Sequence, residues 1–172
     1  LAERWRGGWG GVSNVRRRQP LMLLESPPGV EPDPRVRRLT VDDYPSYLEA
    51  SVNMYTDEIG SSPFKYGRGY ESFVLERLRT GDAYGIVEDS RGIFKADLGP
   101  KLGSQAQLQG VWVAPDRRGE GISVPALSGM LRLAMREYPM ISLYVNDFNT
   151  AAIRSYEHLG FVEVGALATV HY

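Results

Sequence analysis

From Arg35 onward the apolar positions of the chain change period several times, and each change predicts an element. "RVRRL" (35–39) reads as a short strand, and Asp42 or Asp43 then stands where an acidic side chain caps a helix running to about Asn53. "MYTDEIGSSPFKYGRG" (54–69) keeps no period and reads as a long connection rich in glycine and aromatics. "YESFVLERLRTG" (70–81) returns to helical spacing and closes on Gly81. "AYGIVED" and "GIFKADL", joined by a turn at Ser90–Gly92, predict a hairpin. "AQLQGVWVAP" (106–115) is the next strand, ended by Pro115. Ile122, Leu127, Met130, Leu131 and Ala134 then hold the three-four spacing of one buried helix face, in a helix running to about Tyr138. "MISLYVN" is a strand, "NTAAIRSYEHLG" a helix closed by Gly160, and "FVEVGALATVHY" two final strands around Gly165. The order β-α-α-β-β-β-α-β-α-β-β, with no internal repeat, predicts a mixed sheet with helices on its faces, an α/β (α+β) class.

The N-terminal part reads differently. "SPPGVEPDP" (26–34) carries four prolines and predicts an extended linker. Before it, "SNVRRRQPLMLLE" reads as an edge strand and "WRGGWGG" as a loop, together too short to bury a core. The expected organisation is therefore residues 1–35 as the tail of a preceding domain plus linker, with residues 36–172 as the main domain. A first residue of Leu1 rather than methionine fits a piece of a longer chain.

Composition narrows the function classes. An apolar fraction of 42% in 172 residues supports one ordinary core. The net charge of −1 is uneven: residues 1–38 hold eight arginines against four acids, leaving a mildly acidic remainder. That balance argues against a nucleic-acid partner, for which Arg16, Arg17 and Arg18 alone speak, and it suits a cationic substrate. With no cysteine, disulfides, thiolate metal sites and a cysteine nucleophile are excluded. No apolar run reaches the length of a membrane span, and no signal peptide is evident, so a cytoplasmic location and no membrane partner are expected.

The chemistry concentrates in "APDRRGEGISVP" (114–125), where a strand becomes a helix. A P-loop would end in Gly-Lys-Ser/Thr, and "GEGISV" does not. A dinucleotide fingerprint would place a third glycine where Val124 stands and would start directly off the strand. A third template, Gln/Arg-x-x-Gly-x-Gly/Ala, is nearly met by Arg118-Gly119-Glu120-Gly121-Ile122-Ser123. Glycines at 119 and 121 would bare the amides of 119–123 at a helix N-terminus, where an anion is welcome. Pro125 falls in the first helical turn, where its missing N–H costs nothing. Alone, the loop leaves both readings open, phosphate cradle or tight turn with a cap. In "NDFNTAAIRSYEHLGF", Asn149 and Tyr156 lie seven residues apart and share one helix face, either as a capping asparagine with a core-edge tyrosine or as a pair facing a ligand.

Together, in this order and about 30 residues apart, the two segments resemble the GCN5-related N-acetyltransferase (GNAT) family over roughly residues 36–172. "VWVAPDRRGEGIS" looks like that family's acyl-CoA pyrophosphate motif and "NTAAIRSYEHLGF" like its C-terminal motif. "QPLML", "PDPRVRRL", "GVWVAP" and "SLYVNDFN" resemble more specifically actinobacterial GNAT proteins in which an uncharacterised domain precedes the transferase domain.

The resemblance implies a mostly antiparallel mixed sheet with helices on both faces and one splayed parallel pair, here strands 106–113 and 140–146. It implies acetyl-CoA as co-substrate and no metal. Main-chain groups of Val111, Trp112 and Val113 would pair with the pantetheine arm. The amides of Gly119, Glu120, Gly121, Ile122 and Ser123, with Arg118 alongside, would hold the pyrophosphate. Asn149 would bond the pantetheine, an N–H near Val113 would polarise the thioester carbonyl, and Tyr156 would protonate the departing thiolate. The acceptor amine, a small molecule, a peptide N-terminus or a lysine, would attack directly.

Two departures stand out. Ser123 replaces a glycine or alanine, and "AQLQGVWV" lacks the glutamate base that many members carry, because Gln107 and Gln109 take no proton. Asp97, Glu88, His171 or the carboxylate of Tyr172 are the remaining candidates, and no base is assigned. The alternative reading is therefore an acyl-CoA-binding sensor module that has lost catalysis. Tyr55, Phe64, Tyr66 and Tyr70 would line an acceptor pocket or simply pack.

Overall fold

The computed structural model describes residues 14–67 and 69–171, with side chains omitted for 14–17, Tyr66, Val170 and His171. Seven strands form one sheet: β1 (Asn14–Leu24), β2 (Arg37–Arg38), β3 (Ala83–Glu88), β4 (Arg91–Leu102), β5 (Gln105–Val113), β6 (Met140–Tyr144) and β7 (Val162–His171). Four α-helices accompany them: α1 (Tyr44–Ile59), α2 (Gly69–Arg79), α3 (Ser123–Ala134) and α4 (Thr150–His158). The strand order is β2-β3-β4-β5-β6-β1-β7. Among the described strands only β5 and β6 run parallel.

Alternation along β4 divides the helices between two faces. Phe94, Ala96 and Leu98 point to the main core, which α3 enters through Ala126, Leu127, Met130, Leu131 and Ala134. Ala152, Ile153 and Tyr156 of α4 pack against the same core. Lys95 and Asp97 point to the opposite face, which α1 and α2 cover with Tyr47, Val74 and Leu78. The β3–β4 hairpin turns on Asp89 and Ser90, whose φ values of 48° and 63° suit a two-residue turn of the I′ kind.

Three expectations change. Helix α1 does not stop near Asn53 but continues to Ile59, where Gly60 (φ 77°) ends it with its N–H on the Thr56 carbonyl at 2.8 Å. Its second half is polar and mostly exposed, so it shows no apolar stripe. The last twelve residues do not fold back around Gly165. They form one strand, β7, with a register shift next to the Leu21–Gly165 pair, because β1 rather than β7 itself supplies the partner.

The third concerns the N-terminal segment. β1 lies between β6 and β7, buries Met22 and Leu24 in the main core, and is antiparallel to both neighbours. The proline-rich stretch after it is docked on α3. Ser128 Oγ donates to the Val30 carbonyl at 2.6 Å, and Arg132 donates to the Pro28 carbonyl at 2.7 Å. The sheet is thus continuous across the boundary expected at residue 35.

A buried polar cluster ties α1 to β5. Asp97 accepts from Lys95 Nζ and from the Tyr47 hydroxyl, both at 2.7 Å, and Lys95 also donates to the Gly110 carbonyl at 3.2 Å. Gly110 takes φ 61° where two residues of β5 face one of β4, a bulge of the kind that bends a strand and favours glycine. Burial and the Asp97 charge push the Tyr47 phenol well above its ordinary range. Lys95→Ala would leave Asp97 buried without its counter-charge, a loss typically worth about 3 kcal/mol or more. The expected result is a matching fall in the urea-unfolding free energy. An unchanged midpoint would show that Asp97 re-pairs or is hydrated.

Candidate active site

The parallel pair stays together for only three residues. Gln105, Ala106 and Gln107 pair with Met140, Ile141 and Ser142, and beyond them β5 and β6 separate. Residues 107–111 of β5 therefore line a cleft of about 530 Å³. Gln107, Gln109, Val111, Tyr144, Asn149 and Tyr156 are among its lining residues. A second hollow of about 350 Å³ continues past Val111 to Val113, Arg118 and Ser123, and the two share Asp57, Glu58 and Val111. Of the three residues expected along the pantetheine arm, Val111 and Val113 are half-buried at this edge. Trp112 is buried against Ala50, Met54 and Ala114 on the α1 side.

At the N-terminus of α3, Gly119 (φ 84°) and Gly121 (φ 77°) are in the left-handed region, and a Cβ on either would meet no protein atom within 4 Å. The loop is exposed while Ile122, at 8% exposure, anchors it in the core. Bare backbone above a helix start, with open space over it, fits an anionic phosphate group. Glu120 turns its side chain to Arg117 at 2.8 Å, so only its amide is on offer to a ligand. Arg118 differs from expectation. Its Nε donates to the Val113 carbonyl at 3.0 Å and its Nη2 to Asp57 at 2.8 Å, so it lies over the strand edge rather than beside the loop amides.

Asn149 caps α4, its Oδ1 accepting from the Ala152 N–H at 3.2 Å, and it lines the cleft as well, so the two readings of it coexist. Tyr156 stands edge-on to Phe161, with ring centroids 5.8 Å apart. Burial, and after it the charge of Glu58, push its phenol up to about 12.

Of the candidate bases, Asp97 and Glu88 do not line the cleft. Asp97 is consumed by Lys95 and Tyr47. Glu88 pairs with Arg117 at 2.9 Å and Arg35 at 2.5 Å, which hold it below the usual carboxylate range. The His171 side chain and Tyr172 lie outside the described residues, as do the "WRGGWGG" loop and the side chains of Arg16, Arg17 and Tyr66. Tyr55, Phe64 and Tyr70 form edge contacts with one another, at 5.4 Å and 6.3 Å from Tyr70, rather than lining the cleft.

What the sequence reading missed is the end of α1. Met54, Asp57 and Glu58 stand at i, i+3 and i+4, one helix face, and all three line the hollows. That spacing becomes one face only once residues 54–58 are helical, and they fall inside the stretch that keeps no period in the sequence.

Residues 36–161, most of the chain, match the Acetyltransferase (GNAT) family, and residues 1–47 match a domain of unknown function (DUF4081). The chain belongs to the GNAT acetyltransferase family. A GNAT acetyltransferase from Novosphingobium aromaticivorans aligns with TM-score 0.69 at 23% identity, covering 92% of this chain and 65% of that one. PaiA N-acetyltransferase from Thermoplasma acidophilum, solved with coenzyme A, aligns with TM-score 0.56 at 16% identity, over 79% of this chain and 96% of that one. These likenesses show the fold. In sequence, 52 residues, 30% of the chain, are 44% identical to a mycothiol acetyltransferase from Thermobispora bispora, and they span 18% of that protein. The two family matches overlap at 36–47, so the GNAT sheet draws one of its inner strands, β1, from the segment that carries the other match. Among the described residues, no helix is long and apolar enough to cross a membrane, and no group of three or more His, Cys, Asp or Glu is placed to hold a metal.

Proposed function

We propose that this GNAT chain is an N-acetyltransferase moving an acetyl group from acetyl-CoA to a primary amine by direct attack, with Tyr156 as general acid. One observation carries the reading: the splayed β5 edge, Arg118 and Ser123 at the two ends of the glycine loop, and Tyr156 line adjoining hollows that share Asp57, Glu58 and Val111. The amides of Gly119 to Ser123 hold the pyrophosphate, and the edge at Val111 to Val113 takes the pantetheine. Arg118 gives up the Val113 carbonyl to the incoming arm and turns its Nε toward the phosphates, while its Nη2 keeps Asp57. Acetyl-CoA supplies the activated acyl group, and an N–H near Val113 stabilises the charge that develops on its oxygen. The identity to a mycothiol acetyltransferase favours a small-molecule amine as acceptor.

The test is thiol release from acetyl-CoA across a panel of small amines, peptides with free N-termini and lysine derivatives. Release with at least one amine is the expected result. The sensor reading draws on the absence of an ionisable side chain at 107 and 109 on β5, and CoA binding without thiol release from any amine would favour it.

Ligand binding itself has two expected outcomes. CoA at about 100 times its Kd stabilises the fold by about 2.7 kcal/mol, visible as a raised unfolding midpoint. No shift at millimolar CoA would remove the acyl-CoA reading. Gly121→Val puts a branched side chain at φ 77°, into the space above the loop. CoA affinity is expected to fall at least about tenfold while the fold survives, because the Cβ meets no protein atom. Unchanged affinity would leave this loop a turn and no more.

A further inference from the structure

Glu58 is the one carboxylate lining the cleft that no arginine or lysine neutralises among the described residues. Asp57, its neighbour, is bonded to Arg118, which holds it below the usual carboxylate range. Glu58 enters no ion pair among those described, and it lines both hollows. Tyr156 of α4 lines the same cleft, and after burial the Glu58 charge contributes to raising the phenols of Tyr156 and, more weakly, Tyr70, with Asp57 beside it on α1. Arg118, the cation that lines the adjoining hollow, is already taken by Asp57. An exposed carboxylate with no ion-pair partner among the described residues, lining a cleft beside the Tyr156 phenol, is free to take a cation that enters there.

We infer, on the basis of the transferase reading, that the acceptor enters as an ammonium cation and that Glu58 receives it, fixing the substrate class as a positively charged primary amine. The chemistry requires such a group. An alkylamine with an ordinary pKa near 10.4 is almost wholly protonated at neutral pH and has no lone pair for the thioester. Glu58 concentrates and orients the cation, and one ammonium proton leaves for bulk water by way of its carboxylate. The freed lone pair forms the C–N bond. As the C–S bond breaks, sulfur takes the Tyr156 proton, and the tyrosinate takes the surplus proton from nitrogen. The sum is amide, free thiol and one proton released.

The same placement couples the two groups. The Glu58 charge helps to keep the Tyr156 phenol high, so an ammonium seated on Glu58 cancels that part and makes Tyr156 a better acid only when the acceptor is present.

The position accounts for the missing glutamate on β5. Gln107 and Gln109 face the cleft without a titratable group, and α1, held to β5 through Lys95, Asp97 and Tyr47, brings a carboxylate across from the other side. Met54, one turn before Glu58, touches Lys95 Nζ through its sulfur at 3.5 Å, so the helix end is fixed to that cluster.

The experiment compares wild type with Glu58→Gln and Glu58→Asp, using 1,4-diaminobutane, glucosamine, a free N-terminal tripeptide and an Nα-blocked lysine as acceptors. For the amines the wild type acetylates, Glu58→Gln is expected to lower kcat/KM by about 10- to 100-fold at pH 7. The ratio of wild type to variant should shrink toward unity as pH rises past the amine's own pKa, where the acceptor becomes neutral and the Glu58 charge no longer matters. Glu58→Asp restores part of the loss. The Kd for CoA stays within about twofold of wild type, which also reports that each exposed-surface variant is folded. A Glu58→Gln enzyme with wild-type kcat/KM at pH 7, or with a loss independent of pH, overturns this inference and leaves the transferase reading intact. Wild-type protein that binds CoA but acetylates none of the four overturns the transferase reading and this inference with it.

Discussion

A chain beginning at Pro34 is expected to lose cooperative unfolding. It would lack β1, which pairs on one side with residues 141–144 of β6 and on the other with β7 along nearly its whole length. Among the described strands β7 has no other partner, and β6 would keep only its three-residue parallel pairing with β5. Met22 and Leu24, exposed by 1% and 2%, would leave the main core. Burying two such side chains contributes roughly 3–6 kcal/mol. That is a large share of the about 5–15 kcal/mol by which domains are stable, before any strand pairing is counted. Circular-dichroism melts of residues 34–172 and of the whole chain make the comparison. A sharp transition within a few degrees of the intact protein would show that the transferase core stands without β1. A synthetic peptide of residues 14–25, added to the shortened chain, should restore the transition, since the vacant slot offers unpaired edges on both sides.

The docking of this segment was not legible in the sequence for a physical reason. Prolines at 27, 28, 32 and 34 disfavour regular structure, and such a run looks the same whether it hangs in solvent or lies against a helix. What distinguishes the two is tertiary: Ser128 and Arg132 of α3 reach the carbonyls of Val30 and Pro28. Long-range pairing hid the fate of β7 in the same way. Gly165 looked like a turn between two strands, but the sequence holds no sign that its partner, Leu21, comes from 144 residues earlier. Where the signal was local, reading and structure agree. The face of α3, the helix stops at Gly81 and Gly160, and the hairpin near Ser90 rest on contacts within a few residues.

The site divides along the same line. Gly119, Gly121, Asn149 and Tyr156 were legible because a loop at a helix start and a seven-residue spacing are local patterns. Glu58 and Asp57 were not, because the polar half of α1 has no apolar stripe to declare it a helix, and nothing local shows which strand it crosses. Arg118 was identified, but its rest position was not legible, since Asp57 reaches it from 61 residues away.

Tyr156→Phe is expected to lower turnover by about 10²–10⁴-fold, the range typical of a positioned general acid. The ring is kept, so its edge contact with Phe161 and its packing on the core survive, and the variant should melt and bind CoA as wild type does. Only the hydroxyl is lost, and with it the proposed proton donor to the departing sulfur. The loss belongs in kcat and kcat/KM together, since the interaction is made chiefly in the transition state. Where product release limits steady-state turnover, single-turnover mixing of enzyme with acetyl-CoA and amine exposes the chemical step. The pH dependence adds a sign. A phenol pushed up to about 12 stays protonated through the neutral and mildly alkaline range, so ionisation of Tyr156 is not expected to limit the wild type there. The phenylalanine variant should therefore be slow at every pH in that range rather than at one end of it. Wild-type single-turnover rates in Tyr156→Phe would reduce the tyrosine to a packing residue and leave protonation of the thiolate to water.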